Sequence, residues 1–254
     1  MAADLATIGP RGAVTVRIAG LNAFSSVDWA GIGLWILAWF GYVLWAEHVG
    51  ARRPNLMAGL TRYRRQWMEE AYRRDPRITD VALIGNLMHS ATYFSSTTLL
   101  ILGGALAMLG VIERGTEVVE VMRNLPFASR MMSQELLESK VLVMMLVFVY
   151  AFLRFTWSLR QFNLVNIMVG AFPAQRERLV PGDRLIDTAG RLNELAGANF
   201  TQGLRAYYYA VPLLLWLVNP WMLIAGTAGI TLALYYMEFR SATVQALAAD
   251  VRAS

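Results

Sequence analysis

Three sets of polar side chains interrupt stretches that are otherwise apolar. Arg154, Ser158 and Gln161 recur at spacings of four and three, and Asn199, Gln202 and Arg205 at three and three, so on a helix each set shares a face. A third set, Asn86, His89, Tyr93, Ser96, Thr97, Gly103 and Gly104, falls within an arc of about 120° when each residue advances about 100°. The two arginines would attract an anion or an anionic headgroup, and Asn86, His89, Ser158, Gln161, Asn199 and Gln202 would supply hydrogen bonds to it. Glu47 and His48, taken with His89, offer a different chemistry: acid–base work on a lipid or another amphiphile.

Most catalytic designs are excluded by shortage. The chain has no cysteine, which removes structural disulfides, thiolate ligands and cysteine nucleophiles together. With His48 and His89 as the only histidines there is no H-E-x-x-H and no multi-histidine haem bundle, and no G-x-S-x-G elbow, Walker lysine or G-x-G-x-x-G loop occurs. The 13 methionines, among them Met131–Met132 and Met144–Met145, raise soft-metal handling, against which stands their ordinary use as apolar filling. No catalytic residue, metal, cofactor or nucleic-acid partner is expected.

The elements that must position these groups are membrane helices. Of 254 residues, 56% are hydrophobic and only 16% charged, with a mean hydropathy of +0.42, which is the composition of an all-α polytopic membrane bundle. Windows of about 20 apolar residues predict spans at 29–46, 91–112 and 141–159. Residues 207–237 are too long for one straight crossing, and Asn219–Pro220 is a turn signal. The segment therefore predicts a hairpin of two further spans, 199–218 and 221–237; one long helix kinked at Pro220 is the alternative. Pro212 should bend the first arm and leave the carbonyl of Tyr208 without its helical donor. Residues 1–28 lack the apolar core of a signal peptide and read as a short tail, as do residues 241–254.

Loop charge sets an expected orientation. Residues 47–90 carry Arg52, Arg53, Arg62, Arg64, Arg65, Arg73, Arg74 and Arg77, whereas residues 113–140 balance four basic residues with five glutamates. Residues 160–203 are basic again, so the positive-inside rule places the N-terminus outside and the C-terminus inside a membrane, a bacterial inner membrane given the arginine and alanine bias. On this reading the polar sets gather at the cytoplasmic ends of the spans and line a vestibule there, unless Arg154 and Arg205 snorkel to the interface and the amides simply tie helices together. Residues 56–74 read as a basic amphipathic helix, either resting on anionic headgroups or packed on the protein's own core or a neighbouring subunit. A second helix, 184–197, is expected after an N-cap at Asp183. Trp35, Trp39, Tyr42 and Trp45 form an aromatic stripe on the first span, and Gly103 with Ala107, and Ala225 with Gly229, are small pairs that permit close helix approach.

The stretches GYVLWAEH (41–48), RPNLMAGLTRYRRQW (53–67), LRQFNLVNIMVGA (159–171) and NFTQGLRAYYYAVPLLLWLVNP (199–220) resemble, in this order, the family catalogued as domain of unknown function 599. The resemblance implies a helical, multi-span membrane protein and brings no activity, ligand or catalytic residue with it. Three functions are expected: an oligomeric channel or transport component with an arginine- and amide-lined mouth, an accessory or scaffold subunit of a larger membrane complex, or a lipid-modifying enzyme. The expected surroundings are a bilayer with anionic headgroups and further copies of the chain or other subunits.

Overall fold

A computed structural model describes residues 24–50, 56–114, 117–124, 133–174 and 183–253. The Met131–Met132 pair, Arg52, Arg53 and residues 1–23 lie outside the described residues. The helices are α1 (Ser26–Gly50), α2 (Leu56–Arg73), α3 (Ile78–Arg114), α4 (Glu117–Arg123), α5 (Gln134–Gly170), α6 (Asp183–Val218), α7 (Pro220–Tyr235) and α8 (Ala242–Ala253). A π-helical turn, Tyr236–Arg240, joins α7 to the approach to α8. Helices α1, α3, α5 and the α7 segment are long and apolar enough to cross a membrane. The protein is thus an all-α membrane bundle.

Three helices outrun their apolar windows. At 1.5 Å per residue, α3 and α5 (37 residues each) and α6 (36 residues) are about 55 Å long, well beyond a hydrocarbon core of ~30 Å. Their excess length carries a second, smaller core built from Met68, Ala71, Tyr72, Ile84, Val165, Val169, Phe172 and Ala189. That core is where the apolar face of α2 goes: Met68, Ala71 and Tyr72 pack there with residues of α3, α5 and α6. Thr61 Oγ1 donates to Glu194 (3.2 Å), and Arg65 pairs with Asp187 (3.0 Å). Arg77 ties the same end together, donating to the carbonyls of Ala71, Phe172 and Pro173 at 3.2, 3.1 and 2.8 Å. One guanidinium therefore serves backbone groups left over near the ends of both α2 and α5.

The helix expected at 184–197 and the span expected at 199–218 are one continuous helix, α6. Gly197 lies at the join without a break, and the side chain of Arg64 rests against it. A glycine inside a helix costs about 1 kcal/mol relative to alanine, which packing of this kind readily offsets. Helix α6 is too polar to join the four spanning candidates by composition. It is instead the central helix, packed chiefly on α5 and α7, with further contacts to α2.

At its far end the chain reverses. Asn219 is extended (φ −155°, ψ 135°), its side chain accepts from the backbone N–H of Trp221 at 2.9 Å, and Pro220 occupies the first turn of α7. These are N-cap and N1 preferences acting together. Helix α7 then runs back along α6: a Cβ on Gly226 would stand 3.4 Å from Pro212 Cα and 2.9 Å from Leu215 Cδ1. The segment is therefore a hairpin, not one kinked helix. Pro212 frees the carbonyl of Tyr208, and the carbonyl next to it, that of Tyr209, takes a bond from the indole of Trp35 on α1 at 2.8 Å.

Aromatic rings fill the interior. Phe155 stacks on Phe94 (5.3 Å between centroids) and meets Phe200 and Tyr207 edge-on (5.6 Å each). Trp39 lies between Tyr150 (5.4 Å) and Tyr209 (5.8 Å). Gly203 is the residue that lets α6 approach this cluster, because a Cβ there would come within 2.6 Å of the Phe155 ring.

Candidate functional site

Two polar clusters occupy the half of the bundle nearer α2. The first joins α5 to α6. Arg154 donates through Nη1 to Asn199 Oδ1 (2.8 Å) and through Nε to the Tyr150 hydroxyl (3.0 Å). Asn199 in turn donates to Gln161 Oε1 (2.9 Å) and to the carbonyl of Leu195 (3.0 Å). Ser158, fully buried one turn from Arg154, donates to the carbonyl of Ala196 at 2.8 Å. From Tyr150 the chain of contacts continues outward: its hydroxyl faces Gln202 Oε1 at 3.5 Å, and Gln202 Nε2 donates to the exposed Glu47 at 3.3 Å. Five of the residues singled out by sequence, Arg154, Ser158, Gln161, Asn199 and Gln202, thus come together.

Arg205 does not join them. Successive positions 199, 202 and 205 drift by about 60° per step around a helix, and α6 has neighbours on several sides, so the far end of the arc meets different partners. Arg205 turns to the π-helical turn, where Nε donates to Glu238 Oε1 (2.9 Å) and Nη2 to Oε2 (2.6 Å). Tyr42 of α1 completes the cluster: its hydroxyl donates to Glu238 Oε2 at 3.0 Å, and its ring lies 5.6 Å from the guanidinium. With Arg205 only 6% exposed, this is a buried, bidentate, charge-assisted pair. Such pairs are costly to desolvate and depend on good geometry. A π turn adds a residue to the helical repeat and shifts the phase of the residues after it, which is how Glu238 comes to face α6 at the end of an otherwise regular helix.

Asn86 and His89 stand apart from both clusters. They are exposed on α3 with Tyr93, Ser96, Gly103 and Gly104, while Ile84, Ala91, Ser95, Thr98, Ala105 and Ile112, on the opposite face, are buried. The residues proposed for acid–base chemistry are not assembled either. His48 Nδ1 is 2.8 Å from the carbonyl of Leu44 in its own helix, Glu47 faces Gln202, and His89 is exposed. Among the described residues no group of three or more His, Cys, Asp or Glu could hold a metal ion, and Met144 is buried in the main core.

Sequence reasoning missed Glu238, although a signal was there. It is the only acidic residue between Glu194 and Asp250, and an arginine inside an apolar run needs a counter-charge. A third polar cluster, at the opposite end of the bundle, was missed as well. Asp28 accepts from Ser25 N–H (3.0 Å) and Oγ (2.6 Å) and from Trp216 Nε1 (2.7 Å), while Lys140, fully buried, donates to the carbonyl of Trp216 at 2.8 Å. Lys140 Nζ lies 3.8 Å from Asp28. The S-x-x-D spacing of Ser25 and Asp28 is a capping-box pattern, and Lys140 is the chain's single lysine.

A family model described as "Protein of unknown function, DUF599" matches residues 30–243. The chain belongs to this family. No curated protein and no solved structure matches it. The DUF599 match takes in the whole of the Arg154 network and the Tyr42–Arg205–Glu238 cluster, whereas Ser25 and Asp28 precede it.

Proposed function

We propose that this DUF599 protein is a structural subunit of a membrane assembly, joined to a second copy through the outer face of α3, with the α2 end in the cytoplasm. The observation that carries this reading is the direction of the α3 stripe. Asn86, His89, Tyr93 and Ser96, followed by Gly103, Gly104 and Ala107, look away from the bundle on a helix apolar enough to span a membrane. Polar groups on such helices face a bundle interior, a cavity or a partner, and small residues four apart let a second helix come close. Leu100, 78% exposed, sits in the middle of the stripe, so it suits knob-like packing between helices better than a water-lined route.

Conduction through a single protomer has less support. Both arginines that would draw an anion are engaged within the chain, Arg154 by Asn199 and Tyr150 and Arg205 by Glu238. The rings of Phe94, Phe155, Phe200 and Tyr207 fill the interior close by. A transport role for the assembly is the second reading, carried by Asn86 and His89 at the α2 end of the stripe.

The chain's lack of cysteine makes the test direct. Single cysteines replace Ser96, Gly103 and, on a neighbouring exposed face, Leu106; the protein is reconstituted and oxidised. Cross-linked dimers at 96 and 103 but not at 106 support the reading, and equal cross-linking at all three, or none, overturns it. Ion and small-anion flux in the same vesicles then separates the two roles: silence supports a structural subunit, and flux reduced by His89→Ala supports transport.

A further inference from the structure

Between α1 and α7 lies a groove of about 380 Å³, lined by Leu37, Ala38, Gly41, Trp45, Leu232 and Tyr235, with Tyr42 and Thr231 at its base. It is closed lengthwise. Toward the hairpin the two helices touch where Gly31 meets Leu223, a Cβ on the glycine falling 3.1 Å from that side chain. Toward α2 the rings of Trp45, Tyr235 and Phe239 shut it, with centroids 5.0 Å apart for Trp45–Phe239 and 5.8 Å for Trp45–Tyr235. The middle is left open by small side chains: a Cβ on Gly41 would have no neighbour within 4 Å.

The lining decides the occupant. Little is offered to a polar ligand: at the groove's base Tyr42 donates to Glu238 and Thr231 Oγ1 to the carbonyl of Thr227 at 2.7 Å, which leaves the Trp45 indole N–H and the Tyr235 hydroxyl at the α2 end of an otherwise apolar lining. A helix from another copy would need a trough open at both ends to lie along it, and this one is shut at both. At ~30 Å³ for each water-sized group, the groove accepts roughly a dozen methylene-sized units in a row. Both walls belong to helices long and apolar enough to cross a membrane, and there the groove would open sideways onto hydrocarbon.

We propose that the α1–α7 groove is a lipid site that holds one acyl chain of a bilayer phospholipid, seated on Ala38 and Gly41 between Trp45 and Tyr235. The site has a consequence for the buried charges. Tyr42 presents its ring to the groove on one side and its hydroxyl to Glu238 on the other, so an acyl chain in the groove braces the residue that holds the Arg205–Glu238 pair.

The test uses the full chain in phosphatidylcholine vesicles containing an analogue with a photoreactive diazirine midway along one acyl chain. After irradiation, adducts are mapped by peptide mass spectrometry. Adducts concentrated on Leu37, Trp45, Leu232 and Tyr235 are expected, with far fewer on Leu146 and Leu153, exposed on α5. Gly41→Leu fills the groove and should lower groove labelling about tenfold, the loss of some two methylene contacts. Gly170→Leu, in open space at the end of α5, should leave it unchanged. If Gly41→Leu does not fold, Leu232→Trp fills the groove from the other wall and carries the same expectation. Tyr42→Phe keeps the ring and should keep the labelling. Adducts spread evenly over all exposed leucines, or groove labelling that survives the filling variants, would overturn the proposal.

Discussion

Arg205 and Glu238, 33 residues apart on the two arms of the α6–α7 hairpin, form a bidentate pair at 2.9 and 2.6 Å in the interior of the bundle. The pair closes the hairpin at its open end, opposite the turn at Asn219, and Tyr42 brings α1 to the same point. Its placement makes it a lock on helix register: sliding α7 by one residue along α6 would rotate Glu238 by about 100° away from the guanidinium.

Removing one partner should therefore cost far more than removing both. Arg205→Ala leaves the largely buried Glu238 with the Tyr42 hydroxyl, and a loss of about 3 kcal/mol in unfolding free energy is expected. Replacing both, as Arg205→Met with Glu238→Leu, should recover most of that loss, since well-packed apolar side chains often replace a buried pair at little cost. Denaturant titration in detergent micelles, run as a double-mutant cycle, measures this. Additive losses would show that the two side chains do not act as a pair.

Tyr42→Phe isolates the third member. The ring and its contact with the guanidinium stay, and only the hydroxyl donating to Glu238 is lost. Hydrogen bonds to charged groups contribute about 1.5–3 kcal/mol, so a loss in that range is expected on a denaturant curve, and none once Glu238 is already leucine. A loss that persists in the Glu238→Leu background would assign the effect to packing instead.

The helical class and the polar faces were legible because both come from periodicity: apolar windows mark the spans, and spacings of three and four mark the faces. Arg154, Asn199 and Gln161 meet because their faces turn toward each other across one helix pair. Arg205 was misassigned to that group because a 120° arc on a central helix touches two different neighbours, and which one a given residue meets is a property of the packing. The length of α6 was hidden for a related reason. Its first half is polar on one side and apolar on the other, and only the second core around Met68 and Ala189 explains why it continues through Gly197. The π turn has no local signal, yet the lone Glu238 did, as counter-charge to an arginine in an apolar run.

At the other end of the bundle, Asp28 and Lys140 should respond unequally to substitution. Asp28→Ala leaves a fully buried ammonium whose remaining partner is the carbonyl of Trp216, and a loss of about 3–5 kcal/mol is expected. Lys140→Met keeps the stem volume and leaves Asp28 its bonds from Ser25 and Trp216 Nε1, so the loss should be nearer 1–3 kcal/mol, about the cost of the orphaned carbonyl. Thermal unfolding of the two variants in one detergent ranks them. The reverse order would mean that Asp28, not Lys140, is the charge that needs its partner.

Gly203→Ala sets two opposing effects against each other. Alanine favours the helix by about 1 kcal/mol relative to glycine, yet the new methyl would lie 2.6 Å from the ring of Phe155. That ring cannot step aside, because Phe94 stacks on it and Phe200 and Tyr207 meet it edge-on. Overpacking of this kind costs about 1–3 kcal/mol, so the clash should win and the variant should unfold earlier. Shortening the obstacle reverses the sign. In a Phe155→Leu background the methyl has room to occupy, and Gly203→Ala should then be neutral or stabilising. Unfolding curves for the four combinations decide it: a penalty for Gly203→Ala that is unchanged by Phe155→Leu would show that the glycine serves something other than the approach of α6 to that ring.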